Sequence, residues 1–201
     1  MAVAAAELVF QTPPPHAPLR RVRSTLLVAS YKMVHRMGRD GDYRRALPPE
    51  HHAAIFEAVA GTWVSVRVAI AHYQACESLG LTNDAQIEIG RTVGMQIRGT
   101  LAGTLVNMSK EVGVSPWSVI PTMPRVWSRV FDGSTITGWK TGPKEARLEA
   151  VGSPLLDVRY FRNALRGQCM GMLDLFCSRS YAHARQGSFE PGTYSIQLQW
   201  A

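Results

Sequence analysis

Three Gly-x-x-x-Gly pairs, Gly90/Gly94, Gly99/Gly103 and Gly167/Gly171, fall on two long stretches whose apolar residues recur at helical spacing. Inside a helix, glycine costs about 1 kcal/mol relative to alanine. Six glycines in this register need a compensating gain, and close approach of a neighbouring backbone supplies one. In membranes such spacing marks a packing face, but neither stretch is apolar enough to span a bilayer. The pattern predicts a soluble domain with closely nested helices.

At 201 residues and 46% hydrophobic content the chain can bury one substantial core but not two. The net charge of +7 is uneven. Residues 1–45 hold eight Lys/Arg against three Asp/Glu, and the rest hold fourteen against twelve. The excess thus belongs to an N-terminal arm, which is expected to be solvated and to make no nucleic-acid or membrane-surface contact. Cys76, Cys169 and Cys177 lack paired spacing, and Cys169 and Cys177 are too far apart along one helix to bridge. With no clean signal-peptide pattern, a reducing, cytoplasmic setting is expected.

Residues 1–19, with Pro13, Pro14, Pro15 and Pro18, read as a flexible Pro-rich tail in which Leu8–Phe10 could form a stray strand; 20–201 read as a single α+β domain. Ser24 is placed to cap a helix through Met37, although Thr25–Tyr31 suits a strand as well. Gly38–Asp42 reads as a turn. Pro48-Pro49-Glu50 opens a helix to about Leu79, bent near Gly61 and stopped by Gly80. Thr82-Asn83 caps a long central helix to about Lys110, with Ile87, Gly90, Gly94, Ile97, Leu101, Leu105 and Met108 on one face and Gly99 and Gly103 opposite. A short helical stretch begins at Ser115-Pro116 and ends by Phe131. Thr135–Lys140 and Glu145–Val151 make a hairpin around Thr141-Gly142-Pro143. Asp157 caps a last helix to about Ala184, with Val158, Phe161, Leu165, Cys169, Met172 and Phe176 as its buried stripe. The alternation of Tyr194, Ile196, Leu198 and Trp200 is a terminal strand that should join the hairpin. The expected fold is α+β, with helices packed on one face of a small antiparallel sheet, a long central helix and a C-terminal strand.

Several local patterns carry a resemblance. They are Gly90-Arg91 entering a helix; Pro124-Arg125-Val126-Trp127 leading to Phe131-Asp132-Gly133; the Glu145-Ala146 strand ending at Gly152-Ser153-Pro154-Leu155; Tyr160-Phe161-Arg162; and the strand closing on Trp200. In these the chain resembles an uncharacterised paralogous family expanded in myxobacteria. That family is distantly similar to a ligand-binding superfamily of haem nitric-oxide sensor domains, vinyl-reductase-type small-molecule-binding domains and transport-particle subunits. The resemblance implies a cavity between helices and sheet, and often a homodimer. It implies a non-enzymatic sensor or adaptor that takes a small apolar, acyl-type or anionic ligand, a protein partner, or both. A haem-dependent gas sensor and an uncharacterised enzyme remain as alternatives, since fold does not select function.

Arg91 and Arg98 flank the apolar face of the central helix, and Arg159, Arg162 and Arg166 flank that of the last helix. Converging, they would form a cationic mouth for a carboxylate or phosphate. Otherwise Arg91 or Arg98 pairs with Glu88 or Asp84, and the other stripe meets water. His72 and Cys76 share a helical face but lack a third metal ligand at diagnostic spacing, so no metal is expected. His35, His72 and His183 are the candidate haem ligands; none sits in a recognisable motif and no propionate clamp is present, so no cofactor is expected. Asp157, Asp174, Cys177 and His183 lie close in sequence, yet a thiol in a packed helix is ordinarily inert. Met95, Met108, Met123, Met170 and Met172 are candidates for lining an adaptable core or pocket. No catalytic motif is present.

Overall fold

The structure, a computed structural model, describes residues 6–12, 18–59, 61–105, 115–174, 176–185 and 190–201, and at 97–105 the backbone alone. Its frame is an antiparallel five-stranded sheet in the order β1-β5-β6-β8-β7. β5 (Thr135–Gly142) and β6 (Glu145–Val151) form the expected hairpin, and β8 (Thr193–Trp200) lies beside β6. Along β6, Ala146, Leu148 and Ala150 are buried while Glu145, Arg147 and Glu149 stay half-exposed, the period of two that a one-sided sheet imposes.

Both outer strands revise the sequence reading. β1 (Glu7–Gln11) pairs with β5, so this part of the expected tail belongs to the sheet; Phe10 lies over Gly138, where a Cβ would collide with its ring. Residues 13–17 lie outside the described residues. β7 (Ser180–Ala184) pairs with β8, although 180–184 read as helix. Its Ser-Tyr-Ala-His sequence buries Ser180 and Ala182 and exposes Tyr181 and His183, a strand period that the preceding helical pattern obscures.

A second, three-stranded sheet, β3-β2-β4, joins β2 (Arg21–Arg23), β3 (Trp63–Ser65) and β4 (Phe131–Asp132). It explains why the helix expected over 49–79 divides. That segment becomes a 3-10 turn at Pro49–His51, α3 (His52–Phe56), β3 and α4 (Val66–Glu77). Gly61 takes φ +86, and distant groups satisfy the backbone that the break frees. Ser24 Oγ donates to the Val59 carbonyl (2.8 Å) and accepts from the Thr62 amide (3.1 Å), while Arg23 donates to the Gly61 carbonyl and covers the Trp63 ring at 4.0 Å. Ser24 therefore does not cap α1 (Ser24–Arg36); Arg23 holds that position without a side-chain bond. The expected turn at 38–42 continues into α2 (Asp40–Ala46).

The central helix is α5 (Asn83–Leu105), capped as expected by Thr82, whose hydroxyl accepts from the Ala85 amide at 3.2 Å. Residues 106–114, including Met108, lie outside the described residues. α6 (Pro116–Val119), a 3-10 turn and α7 (Met123–Val130) follow, with prolines tolerated at first-turn positions. α8 (Arg159–Leu173) packs along α5 and on the sheet. Its N-cap is Val158; the Asp157 carboxylate instead accepts from the Gly192 amide at 2.9 Å.

The two helices meet as the glycine spacing requires. A Cβ on Gly94 would stand 2.5 Å from the Gln168 carbonyl oxygen, and one on Gly90 would overlap the backbone of Ala164. From the other side, a Cβ on Gly167 or Gly171 would overlap backbone at Ile87 or Arg91. Asn163 fastens the contact by donating to Asn83 Oδ1 (3.0 Å) and Gln86 Oε1 (2.8 Å). The surroundings of Gly99 and Gly103 lie outside the described residues.

Candidate functional site

The glycine-bearing face of α8 is pressed on α5, and the face beside it is free to line something else. Leu165, Gln168, Cys169 and Met172 occupy that face at i, i+3, i+4 and i+7. Across from them α7 presents Met123, Val126, Trp127 and Val130 at the same spacing. Leu26 of α1, Phe131 of β4 and Ile136 of β5 complete the lining of a partly open cavity of about 50 Å³. Val126 and Met172 are half-buried and mark its outer side; Met123 and Trp127 are buried. The Trp127 indole donates to Ser134 Oγ at 3.1 Å and packs on Phe131, so its polar edge is already engaged. Ser134, at φ 62, is in the left-handed region, and the turn it makes with Gly133 sets that hydroxyl under the indole.

Ten of the eleven lining residues are apolar or sulfur-bearing, and none carries a charge. The exception is Gln168, 7% exposed. Burial pushes the Cys169 thiol up to about 12, so it stays protonated and behaves as a small apolar group. Of the methionines singled out in the sequence, Met123 and Met172 reach the cavity; Met95 is exposed on α5 and Met170 packs half-buried against the core.

The arginines are arranged differently. α5 and α8 do bring the two stripes onto neighbouring helices, but the guanidinium groups turn to separate partners. Arg91 pairs with Asp174 at 2.6 Å and approaches Glu88 at 3.9 Å; Asp174 also accepts from Ser180 Oγ at 2.6 Å. Arg159 pairs with Glu77 (3.1 Å), Arg162 donates to the Leu156 carbonyl (2.8 Å), and Arg166 donates to the Ala182 carbonyl (2.9 Å) and to Asn163. The Arg98 side chain lies outside the described residues. None of the other four lines the cavity.

His72 and Cys76 do share a face, with Cys76 Sγ 3.8 Å from His72 Nε2. Both are fully buried, and Tyr43 OH meets His72 Nδ1 at 2.6 Å. Desolvation pulls the imidazole down to about 3 and pushes the Cys76 thiol up to about 12, so both are neutral. No cluster of three or more His, Cys, Asp or Glu suited to a metal occurs among the described residues. His35 is exposed at the end of α1, and His183 is exposed on β7, stacked on Tyr181. Cys177 donates to the Leu173 carbonyl (3.4 Å), so the hydrogen bonds of Asp157, Asp174 and Cys177 lead away from one another.

Haem does not fit this site. No described histidine lines the cavity, its thiol is protonated, and about 50 Å³ lies far below the several hundred that ligand pockets of that class enclose. The lining set was only half legible in the sequence. The α8 stripe was visible, whereas the i, i+3, i+4, i+7 pattern of Met123, Val126, Trp127 and Val130 was masked by the prolines at 116, 121 and 124.

No protein-family profile matches the chain, and no curated protein sequence matches it. Solved structures do. An oxygen-binding H-NOX domain related to soluble guanylate cyclases, in its oxygen complex, superposes with TM-score 0.60 over 89% of this chain and 94% of that one, at 10% identity. A haem protein studied for redox tuning through porphyrin distortion gives 0.59 over 89% and 99%, at 11% identity. A point mutant of the T. tengcongensis H-NOX gives 0.54 over 89% and 97%, at 10% identity. At these identities the likeness is one of fold: the chain is folded like an H-NOX domain.

Proposed function

We propose that this chain is a non-enzymatic sensor or adaptor domain whose cavity takes a small apolar ligand, or the end of an acyl chain, in place of haem. The observation that carries the reading is the space between the α7 and α8 quartets, apolar on nearly every side and without a histidine. Met123 and Met172 suit it to an adaptable fit, because an unbranched thioether changes rotamer at low cost. The H-NOX-like fold supports a sensing role only at the level of architecture. Membership in the myxobacterial paralogous family, a cytoplasmic setting, a homodimer through a helical face and a protein partner belong to the same proposal. An anionic ligand held by Arg91, Arg98, Arg159, Arg162 and Arg166 has less support, since four of these already have partners. The enzyme reading has less too, with His72 closed in against Tyr43.

An absorption spectrum of the purified protein, taken before and after addition of haemin and gel filtration, tests the reading. The expected result is no Soret band that survives the column, with native mass spectrometry reporting either empty protein or a small retained organic mass. A sharp Soret band with one iron per chain would overturn it.

A further inference from the structure

The outer face of the three-stranded sheet gathers charge that the fold does not neutralise. In β2, Val22 is fully buried, so the strand period of two turns Arg21 and Arg23 outward, in register with Ser65 and Trp63 of β3, and Arg21 with Asp132 of β4. Arg20 and Arg21 share the one carboxylate of Asp132, at 3.4 and 2.7 Å, and both stay exposed. Arg23 spends its donors on the Arg129 and Gly61 carbonyls, at 3.1 and 2.6 Å, and these leave its charge uncompensated. At the start of α4 the Val66 amide meets the Arg20 carbonyl, and Arg67 follows it into solvent. Arg129 and, one turn earlier on α7, Arg125 are exposed as well. The side chains of Arg67, Arg125 and Arg129 make no hydrogen bond or ion pair among the described residues. Along the sequence the first three arginines belong to a solvated arm; in the fold they adjoin three more from α4 and α7.

At the edge of this face stands Val59, the most exposed large apolar side chain among the described residues, at 71%. It is held there, because its carbonyl accepts from Ser24 Oγ (2.8 Å) and Thr62 Oγ1 (2.9 Å) while Arg23 ties down Gly61. Glu57, two residues earlier, forms an ion pair with none of the arginines. We propose that this face docks on an anionic lipid bilayer, with Val59 entering the headgroup layer and the arginines meeting the lipid phosphates and carboxylates. Charge complementarity selects an anionic surface. The apolar tip selects lipid over nucleic acid, since an exposed aliphatic side chain gains by leaving water for acyl chains and gains nothing at a phosphate backbone. The Trp63 ring is already covered by Arg23, at 4.0 Å, where a nucleic-acid base would stack.

Cosedimentation of the full chain with vesicles of three parts phosphatidylcholine to one of phosphatidylserine tests the proposal. Binding should appear at low salt, fall as salt rises, and be absent with phosphatidylcholine alone. The triple variant Arg67→Gln, Arg125→Gln, Arg129→Gln removes charges that hold no partner in the fold. It should keep its melting temperature and lose about tenfold or more in lipid partitioning. Val59→Ser should weaken partitioning at every salt concentration. No binding to the mixed vesicles at low salt, or equal binding by the triple variant, overturns the proposal. Binding to a duplex DNA oligonucleotide but not to the mixed vesicles overturns it in favour of a nucleic-acid surface. Unchanged binding by Val59→Ser overturns the entry of Val59 and leaves docking by charge alone.

Discussion

His72 is fully enclosed, with Tyr43 on Nδ1 and Cys76 beside Nε2, and desolvation holds its imidazole at about 3 against an ordinary 6.5. Between those values the unfolded chain binds a proton there and the folded chain does not. Stability therefore rises with pH across this window, is complete above about 6.5, and is lost as pH falls toward 3. Tyr43, Tyr73 and Cys76 stay neutral throughout, because burial pushes all three upward. Asp40 and Asp132, held low by hydrogen bonds from Tyr31 and Arg21, add their own losses only at more acidic pH. Urea denaturation from pH 6 to 4.5 should give a slope steeper than that of His72→Phe by about 1.4 kcal/mol per pH unit. The variant also loses the Tyr43 bond and should be weaker at every pH, so the slope decides. Parallel curves would show that His72 protonates in the folded state. The i, i+4 relation of His72 and Cys76 was legible in the sequence. That both point inward, where desolvation governs them, depends on Tyr43 arriving from α2, of which the sequence reading covers only the opening residues, as part of a turn over 38–42.

At the scale of elements, the α5–α8 contact sets propensity against packing. Replacing Gly94 or Gly167 by alanine improves helix propensity by about 1 kcal/mol. Yet the added methyl meets the Gln168 carbonyl oxygen in one case and the Ile87 backbone in the other, and backbone cannot step aside as a side-chain tip can. Overpacking of this kind costs roughly 1–3 kcal/mol, so both variants should melt lower than the natural protein, and Gly94→Leu and Gly167→Leu lower still. Because α8 also lines the cavity, ligand binding should weaken alongside stability. A raised melting temperature in both alanine variants would mean the helices stand further apart than described. The glycine spacing pointed to close helix packing because it is a local cost with one economical remedy, while the identity of the partner helix came from the fold. The break at 59–65 was hidden for the opposite reason: Gly61 marks a bend, but the segment is held by β2 and Ser24, which come to it from 35 or more residues away.

For the molecule as a whole, no helix among the described residues is long and apolar enough to cross a membrane. Among the described residues, the central helix offers one large exposed apolar side chain, Met95 at 37% exposure. If the proposed homodimer forms through that helix, sedimentation velocity at micromolar concentration should give a species of twice the chain mass, and Met95→Glu should shift it toward monomer. A single monomeric species for the unmodified chain would remove the dimer from the proposal. The variant places its charge on an exposed site, so its melting temperature should change little.

Periodicity, glycine spacing and turn residues were enough to specify the α+β class, the 135–151 hairpin, the terminal strand and the capped central helix, with close nesting of glycine-bearing helices but not which helix meets which. Each of these is written within a few turns of chain, where neighbouring residues share a face or a bend. The edge strand β1, the three-stranded sheet and the α7 wall needed partners far away in sequence, since a short strand gains its hydrogen bonds only from the neighbour it meets, and β7 needed β8 to turn it from the helical pattern before it. The same holds for the site. Arginine stripes can be read from a helical projection, but the carboxylates and carbonyls that claim them come from α4, the 3-10 turn before α8, the end of α8 and β7. The cavity is a space between elements, and its lining became visible only when α7 came to lie across from α8.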